Sequence, residues 1–447
     1  MKNTFLYLMA VLMVLSSCRK SDYELTEDEL QVVAANAGGV GTTTWTSDKE
    51  YLLDGFVFVN PGQTLIIEKG TVIRAKTGQG VNASALIVAR GGKIFAQGTK
   101  EEPIIFTCDG DDLQGSIDVY TRGLWGGVII LGNAPVNTTS GEAYIEGIPL
   151  SEPRGVYGGD NEADNSGILE YVSIRHGGTD IGTDNEINGL TLGGVGKGTK
   201  ISHIEIISNK DDGIELFGGS VNLKNIAVAF CGDDAFDFDL GYHGRCQFLL
   251  AIQGEQVGDC LAEHDGGVTP EDGIPYTIPQ IYNATFIGSG QSLIHNLITF
   301  QDNGGGVYSN SIFVNQDLGI TVEYVGDASS YERLETGDLA FKKNIFYNVA
   351  DNTFESLGEV VDQSFNEIPD KSDVFILDII SEGNEIENYG IGYSGSSFKV
   401  TSDSLPETNM DSYSSDWYDW VDYKGAFGPE DNWIEGWTLL SQEGLAE

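Results

Sequence analysis

Between His203 and Leu261 the chain repeats itself at an interval of 22 residues. "HIEIISNKDDGIELF", from His203, lies over "NIAVAFCGDDAFDFD", from Asn225, and then over "QFLLAIQGEQVGDCL", from Gln247. The three units align Ile204, Ile226 and Phe248; Ile206, Val228 and Leu250; and Leu216, Phe238 and Cys260. Each unit is made of short apolar or alternating stretches separated by Gly, Asn and Asp, the pattern of strands and tight turns. Such a unit cannot bury its apolar face alone, so neighbouring units must stack. A period this short, with several strands and no helix, predicts an all-β solenoid: a right-handed parallel β-helix whose rungs stand about 4.8 Å apart. Leucine-rich repeats have a similar period but a leucine/asparagine spacing missing here, and propeller blades are longer.

Strand-like segments start upstream, with "GFVFV", "TLIIE", "TVIRA", "ALIVA", "PIIFT" and "WGGVIIL", and no helical periodicity interrupts them from Trp45 to Gly288. "YVSI" at Tyr171 with "NGLTL" at Asn188 forms a unit with a longer loop, and "NATFIG", "NSIFVN" and "NIFYN" continue the series. Loops at about 109–122, 138–167, 261–280 and 358–410 break the repeat; in solenoids such insertions often build the binding face. One domain is expected over 45–447. Its last part, about 411–447, carries Trp417, Trp420, Trp433 and Trp437, four of the six tryptophans. That aromatic segment reads as a cap folded over the last rung, protecting an open sheet edge, or as a stacking platform for sugar rings.

The chain has 59 Gly but only 11 Pro, which suits many tight turns rather than a disordered tract. With 24 Lys+Arg against 68 Asp+Glu, its formal net charge is −44. A surface of that sign repels nucleic acid and anionic headgroups, so no nucleic-acid partner is expected.

Residues 1–17 read as a secretory signal: a lysine at Lys2, an apolar run from Phe5 to Leu15, then small residues. "LSSC" resembles a bacterial lipobox, which makes Cys18 the lipidated first residue of the mature chain. Residues 18–44 then form an acidic linker, in which Thr26-x-x-Glu29 reads as a capping box opening a short helix through Ala35. No later segment is long and apolar enough for a helical membrane span. Cys108, Cys231, Cys246 and Cys260 remain, none at zinc-site spacing; at most one or two disulfides are expected, with the pairing open.

The repeat also stacks carboxylates. In the 22-residue register Asp211, Asp233 and Glu255 are equivalent, as are Glu215, Asp237 and Asp259, while Asp212 and Asp234 form a row between them. Inward positions of these strands are apolar, so Glu215 and Asp237 point outward. Like charges at rung spacing repel. Three readings follow. Turn aspartates bond nearby backbone N–H groups and water screens the rest. Alternatively Ca²⁺ bridges rungs, held by Asp211, Asp233, Asp234, Glu215, Asp237, Glu255 and Asp259, since hard oxygen donors without a His/Cys set suit that ion. In the third reading Asp212, Asp233 and Asp234 supply the acid and base of a glycosidase, which must stand about 6.5–9.5 Å apart for inversion, with His243 assisting. "EHDGG" adds His264 and Asp265 from a rung-edge loop, while His176 and His203 read as turn or wall residues.

"GLWGGVIILGNAPVN", "YGGDNEADNSGILEYVSIRHGG", "NGLTLGGVGKGTKISHIEI", "DDGIELFGGSVNLKNI" and "GDDAFDFDLGYHG", together with the lipobox, resemble a family of Bacteroidota outer-membrane surface lipoproteins. The resemblance spans about 54–258, with "YKGAFGPEDNWIEGWT" near the C-terminus. It implies a β-helix anchored through Cys18 and exposed on the outer face of the outer membrane. A weaker resemblance joins "NKDDG", "GDD" and "GYHG" to the aspartate and histidine series of pectate-lyase- and polygalacturonase-like β-helix proteins. This sequence departs from it: the histidine follows its aspartates too closely, and the basic substrate clamp has no counterpart. The expected function is a non-enzymatic surface binding protein, accessory to a TonB-dependent outer-membrane transporter. The alternatives are a polysaccharide-acting glycoside hydrolase and a Ca²⁺-stiffened structural or adhesive protein. An outer-membrane receptor and a polysaccharide are the expected partners.

Overall fold

The computed structural model describes residues 30–182, 185–267, 269–290, 295–394, 397–402, 405, 409–429 and 431–446. The signal, Cys18 and the Thr26–Glu29 box lie outside these residues. The architecture is the parallel β-helix that the repeat requires. Its strands pair in parallel in two large sheets, of 18 and 10 strands. Among the described residues no helix is long and apolar enough to cross a membrane.

The larger sheet covers two faces because its long strands bend in the middle. In Gly167–Arg175, for instance, residues up to Glu170 pair with the Lys93–Gln97 strand, while those from Val172 pair with Ile104–Cys108. The bend falls on one residue with positive φ, and that residue stacks from rung to rung: Tyr171, His203, Asn225, Phe248, Asn283, Asn310 and Lys343. Asparagine tolerates the left-handed region best and holds three of these corners. Aromatic corners are stabilised from outside, as where Tyr171 and His203 stack with ring centroids 4.3 Å apart. The 10-stranded sheet forms the third face, running from Phe56–Val59 to Gly358–Val361. Inward residues of all three faces make one continuous apolar core, including Ile204, Ile226, Leu216 and Phe238.

The 22-residue period holds for one step and then changes. Ile204 pairs with Ile226 and Ile214 with Phe236, but Ile226 pairs with Leu249, and Val228 with Ala251. The alignment of Phe248 with Ile226 and of Leu250 with Val228 is therefore off by one. Because side chains alternate, that single step turns Phe248 and Leu250 outward. On the third face Phe238 pairs with His264, not Cys260, since the turn after Asp239 and the next corner are longer. His264 thus points into the core and bonds the Tyr308 hydroxyl at 2.8 Å, where burial pushes its pKa down to about 3.

Two covers differ from expectation. Leu30–Ala34 is a strand, paired in parallel with Glu50–Asp54, where the helix through Ala35 was expected. Extending a sheet satisfies that row of backbone groups, and the β-branched pair Val32–Val33 favours it. The open end of the solenoid is closed by the helix Pro369–Ser381, which the sequence pattern did not reveal. Its Phe375 and Ile379 sit in the core, Gly358 leaves room for the Phe375 ring, and Ser372 Oγ accepts the Val360 N–H at 3.0 Å. The edge strand is thereby protected from further pairing.

The aromatic C-terminal segment covers a flank instead of the last rung. It packs on outward residues of the second face, among them Ile207, Ala229, Leu250, Ile252 and Val314, through Phe427, Trp433, Ile434 and Trp437. Corner asparagines hold it down: Asn283 Nδ2 donates to Tyr423 O and Asn310 Nδ2 to Asp411 O. Cys108, Cys231, Cys246 and Cys260 are free, buried thiols.

Candidate functional site

Asp211, Asp212, Asp233 and Asp234 lie in the turns that lead into the third face, and the strands after them carry the outward acids. Two outward columns run down that face. One holds Thr191, Glu215, Asp237 and Glu263, followed by Thr299. The other holds Phe217, Asp239 and Asp265, followed by Gln301. Glu263 therefore takes the position assigned to Asp259 from the repeat, and Asp265 continues the second column beyond Asp239. Glu255 and Asp259 fall outside the columns on an exposed turn, where Asp259 pairs with His295 Nδ1 at 2.7 Å.

The columns sit beneath their surroundings. Glu215 and Asp237 are each 8% exposed, although both point away from the solenoid core. The insertion 138–167 lays Ile145, Ile148 and Tyr157 on the apolar outward residues Ile87, Ile129 and Leu131. It also brings Glu146 to Glu215: their carboxyl groups share a hydrogen bond, and Asn188 Nδ2 donates to both. None of the ion pairs among the described residues joins a basic side chain to these columns or to the Asp211, Asp212, Asp233 and Asp234 turns.

Burial without a counter-charge raises carboxylate pKa values. Desolvation first, and then neighbouring carboxylates, push Asp212, Glu215, Asp234 and Asp237 well above the ordinary range. The same causes bring Asp211 and Glu263 up to about 8 and Asp265 to about 7. At neutral pH this face must hold protons or bind a cation.

The candidate catalytic set does not assemble. Asp212 spends one carboxylate oxygen on the Asp234 N–H at 2.9 Å, and Asp234 spends one on the Cys260 N–H at 2.5 Å. These bonds tie each rung to the next, the structural role expected of turn aspartates. His243 stands beyond the far end of the Phe236–Asp239 strand, roughly 15 Å away at about 3.3 Å per residue, where it meets Glu162 at 3.1 Å. Only Asp233 of the proposed set is exposed.

The metal reading fits part of the set. One oxygen each of Asp212, Glu215 and Asp237 lies within 4.8 Å of the others, as does one each of Asp211, Asp212 and Asp233. Calcium takes six to eight oxygens at about 2.3–2.6 Å, so ligands of one ion stand within about 5 Å of each other. Asp237 Oδ1 and Thr191 Oγ1, the latter on a side chain 1% exposed, have no hydrogen-bond partner. Buried oxygens rarely stay unpaired, and both stand in the column that contains Glu215. The residues that would hold Ca²⁺ are Asp212, Glu215 and Asp237, with Glu146 and Thr191 alongside. Asp234, Asp259 and Cys260 also converge, but a buried thiol is a poor calcium ligand.

The tryptophans divide. Trp433 and Trp437 are packed in the flank, with Trp437 Nε1 donating to Trp433 O at 2.7 Å, so neither offers a ring to a ligand. Trp417 is half-buried under the Lys224 ammonium. Trp420 is 84% exposed and lines a shallow cavity of about 290 Å³ with Tyr413 and Asp422. It alone keeps the geometry of a stacking platform.

Glu146, Asn188, Thr191 and Glu263 have no place among the sequence-derived candidates, and Asp265, expected on a rung-edge loop, stands in the strand Ala262–Asp265. "ELF", "DFD" and "EHD" do carry the signal, since they superpose once a rung is allowed 26 residues instead of 22. Glu146 arrives from an insertion and has no repeat to mark it.

The family comparison agrees with the β-helix fold. Residues 39–375 match the family described as pectate-lyase-like beta helix domain. No curated protein is similar enough to match. Among solved structures, the Dettilon tailspike protein aligns over 74% of this chain and 68% of its own length, at 11% identity and a TM-score of 0.27. The chain belongs to the pectate-lyase-like β-helix domain family.

Proposed function

We propose that this chain is a non-enzymatic binding protein of the cell surface, lipid-anchored to the outer membrane through Cys18. In this reading it serves a TonB-dependent transporter by holding a polysaccharide ligand. The observation that carries the non-enzymatic half is the fate of the aspartates: Asp212 and Asp234 are buried and bonded to the next rung, and His243 is at another corner. A glycosidase needs its acid and base on an open groove with room for substrate. Family membership supports a polysaccharide-related ligand, and the exposed Trp420 supplies one ring on which a sugar could stack. Lipidation rests on "LSSC" and the surface address on the acids just after it. In the same proposal Ca²⁺ sits among Asp212, Glu215 and Asp237 and stiffens the face, fastening the 138–167 insertion through Glu146.

A second reading, glycoside hydrolysis, is favoured by one observation. Glu263 and Asp265, raised to about 8 and about 7, are carboxyl groups able to donate a proton at neutral pH. Reducing-end release on a polysaccharide panel, with and without Ca²⁺ and beside Asp234→Asn and Glu263→Gln, separates the two. Binding without turnover is the expected result. Turnover abolished by either substitution would replace the binding reading with an enzyme.

A further inference from the structure

A second cavity lies away from the acidic face, of about 370 Å³, within the range of about 300–1,000 Å³ usual for small-molecule sites. Three distant segments build it: the 109–122 loop, the turn at Arg175 and His176, and the C-terminal Leu439–Glu443. Arg175 is its unusual member. The side chain is 1% exposed, its Nε donates to Ser173 Oγ at 2.8 Å, and its Nη2 has no partner. The neighbouring acid Glu205 is already engaged. Glu205 accepts Ser173 Oγ at 2.5 Å and the Leu439 and Leu440 N–H groups at 2.9 and 3.0 Å. No ion pair involving Arg175 is formed among the described residues. A buried guanidinium with a free donor is costly unless something accepts from it.

The other polar groups decide the chemistry. Asp111 is buried, its carboxylate held by Thr107 Oγ1 at 2.7 Å and by the Leu113 N–H at 2.8 Å. His176 Nδ1 stands 2.7 Å from Thr121 O and so carries the proton there, which makes Nε2 an acceptor. Burial pushes its pKa down and keeps the ring neutral. Gln442 and Glu443 line the solvent side, and Leu113, Ile117 and Val119 supply an apolar wall. An anion would satisfy Arg175 but face Asp111, Glu205 and Glu443. A cation would face the guanidinium. A neutral polyhydroxylated molecule meets both demands, because each hydroxyl accepts from one side and donates to the other.

We propose that the cavity between the 109–122 loop, Arg175 and the C-terminal segment binds one neutral sugar unit, held by Arg175 Nη2 on one side and by Asp111 and Glu443 on the other. It does not depend on the surface-transport reading and would stand if that reading failed. The test is calorimetric titration of the purified full chain with glucose, galactose, mannose and xylose, beside glucuronate and glucosamine. Arg175→Lys keeps the charge but loses the fork, and Gln442→Trp sets a large ring at the solvent side without touching the core. Saturable binding of a neutral sugar, weakened tenfold or more in both variants, is expected. Should Arg175→Lys fail to fold, Gln442→Trp decides alone. No binding of any neutral sugar, tighter binding of glucuronate, or affinity unchanged in Gln442→Trp would overturn the proposal.

Discussion

The second and third faces of the solenoid use the same rungs and the same backbone geometry, yet their outward residues are opposites. On the second face they are Ile207, Ala227, Ala229, Leu250 and Ile252, and the C-terminal segment seals them. On the third they are the buried Glu215 and Asp237 and the half-buried Glu263, none in an ion pair with a basic side chain among the described residues. An outward apolar column calls for a cover from the chain itself, and its stabilisation comes from apolar area removed from water. An outward acidic column that is nonetheless buried calls for protons or a cation, because like charges at rung spacing oppose burial. Flank stability is therefore expected to ignore calcium and respond weakly to pH, whereas third-face stability should follow both.

The largest effect should come from opening the flank. Trp437→Ala removes a fully buried indole, its bond to Trp433 O and its edge contact with Tyr171, and should cost about 3–5 kcal/mol in denaturant unfolding. The loss should be the same with Ca²⁺ or chelator. Next, Ca²⁺ at a hundredfold excess over its dissociation constant should stabilise the wild-type chain by about 2.7 kcal/mol. The double substitution Glu215→Gln with Asp237→Asn should abolish that gain. Without Ca²⁺ at pH 8 the order should invert, the double variant unfolding at a higher temperature than wild type by removing two buried charges.

A pH series sharpens the contrast. Asp211 and Glu263 titrate at about 8 in the folded chain and Asp265 at about 7, against about 4 for unfolded carboxylates. Between those values the folded state holds more protons than the unfolded state. The calcium-free chain should therefore lose stability as pH rises from 4 to 8, the reverse of ordinary acid denaturation. Trp420→Ala, at an exposed site, should change stability by less than about 0.5 kcal/mol. Its effect should appear only in polysaccharide retention on affinity gels.

Much of this could be read from residues. Ile204 over Ile226 and Leu216 over Phe238 was enough for the solenoid, because an inward column must be apolar at every rung. Register beyond one step was not legible. A single extra residue before Leu249 and four before Ala262 shift the partners, and turns admit such insertions without changing the strand pattern. Glu215 and Asp237 could be assigned outward from alternation, but not their burial, which depends on an insertion with no repeat. His243 looked close to Asp234 because only eight residues separate them in sequence, and an intervening strand carries it to the other corner. The capping helix was not legible either: Pro369 stands at its first turn, but a lone proline among strands has no periodic neighbour to announce a helix.

The most direct test of the account is thermal unfolding of the full chain at pH 8 and pH 5, each with Ca²⁺ and with chelator. A Ca²⁺-dependent rise in Tm that is large at pH 8, small at pH 5 and absent in the Glu215→Gln, Asp237→Asn variant is the predicted result. An identical Tm in all four conditions would contradict it, leaving the acidic columns as a face that needs neither cation nor proton.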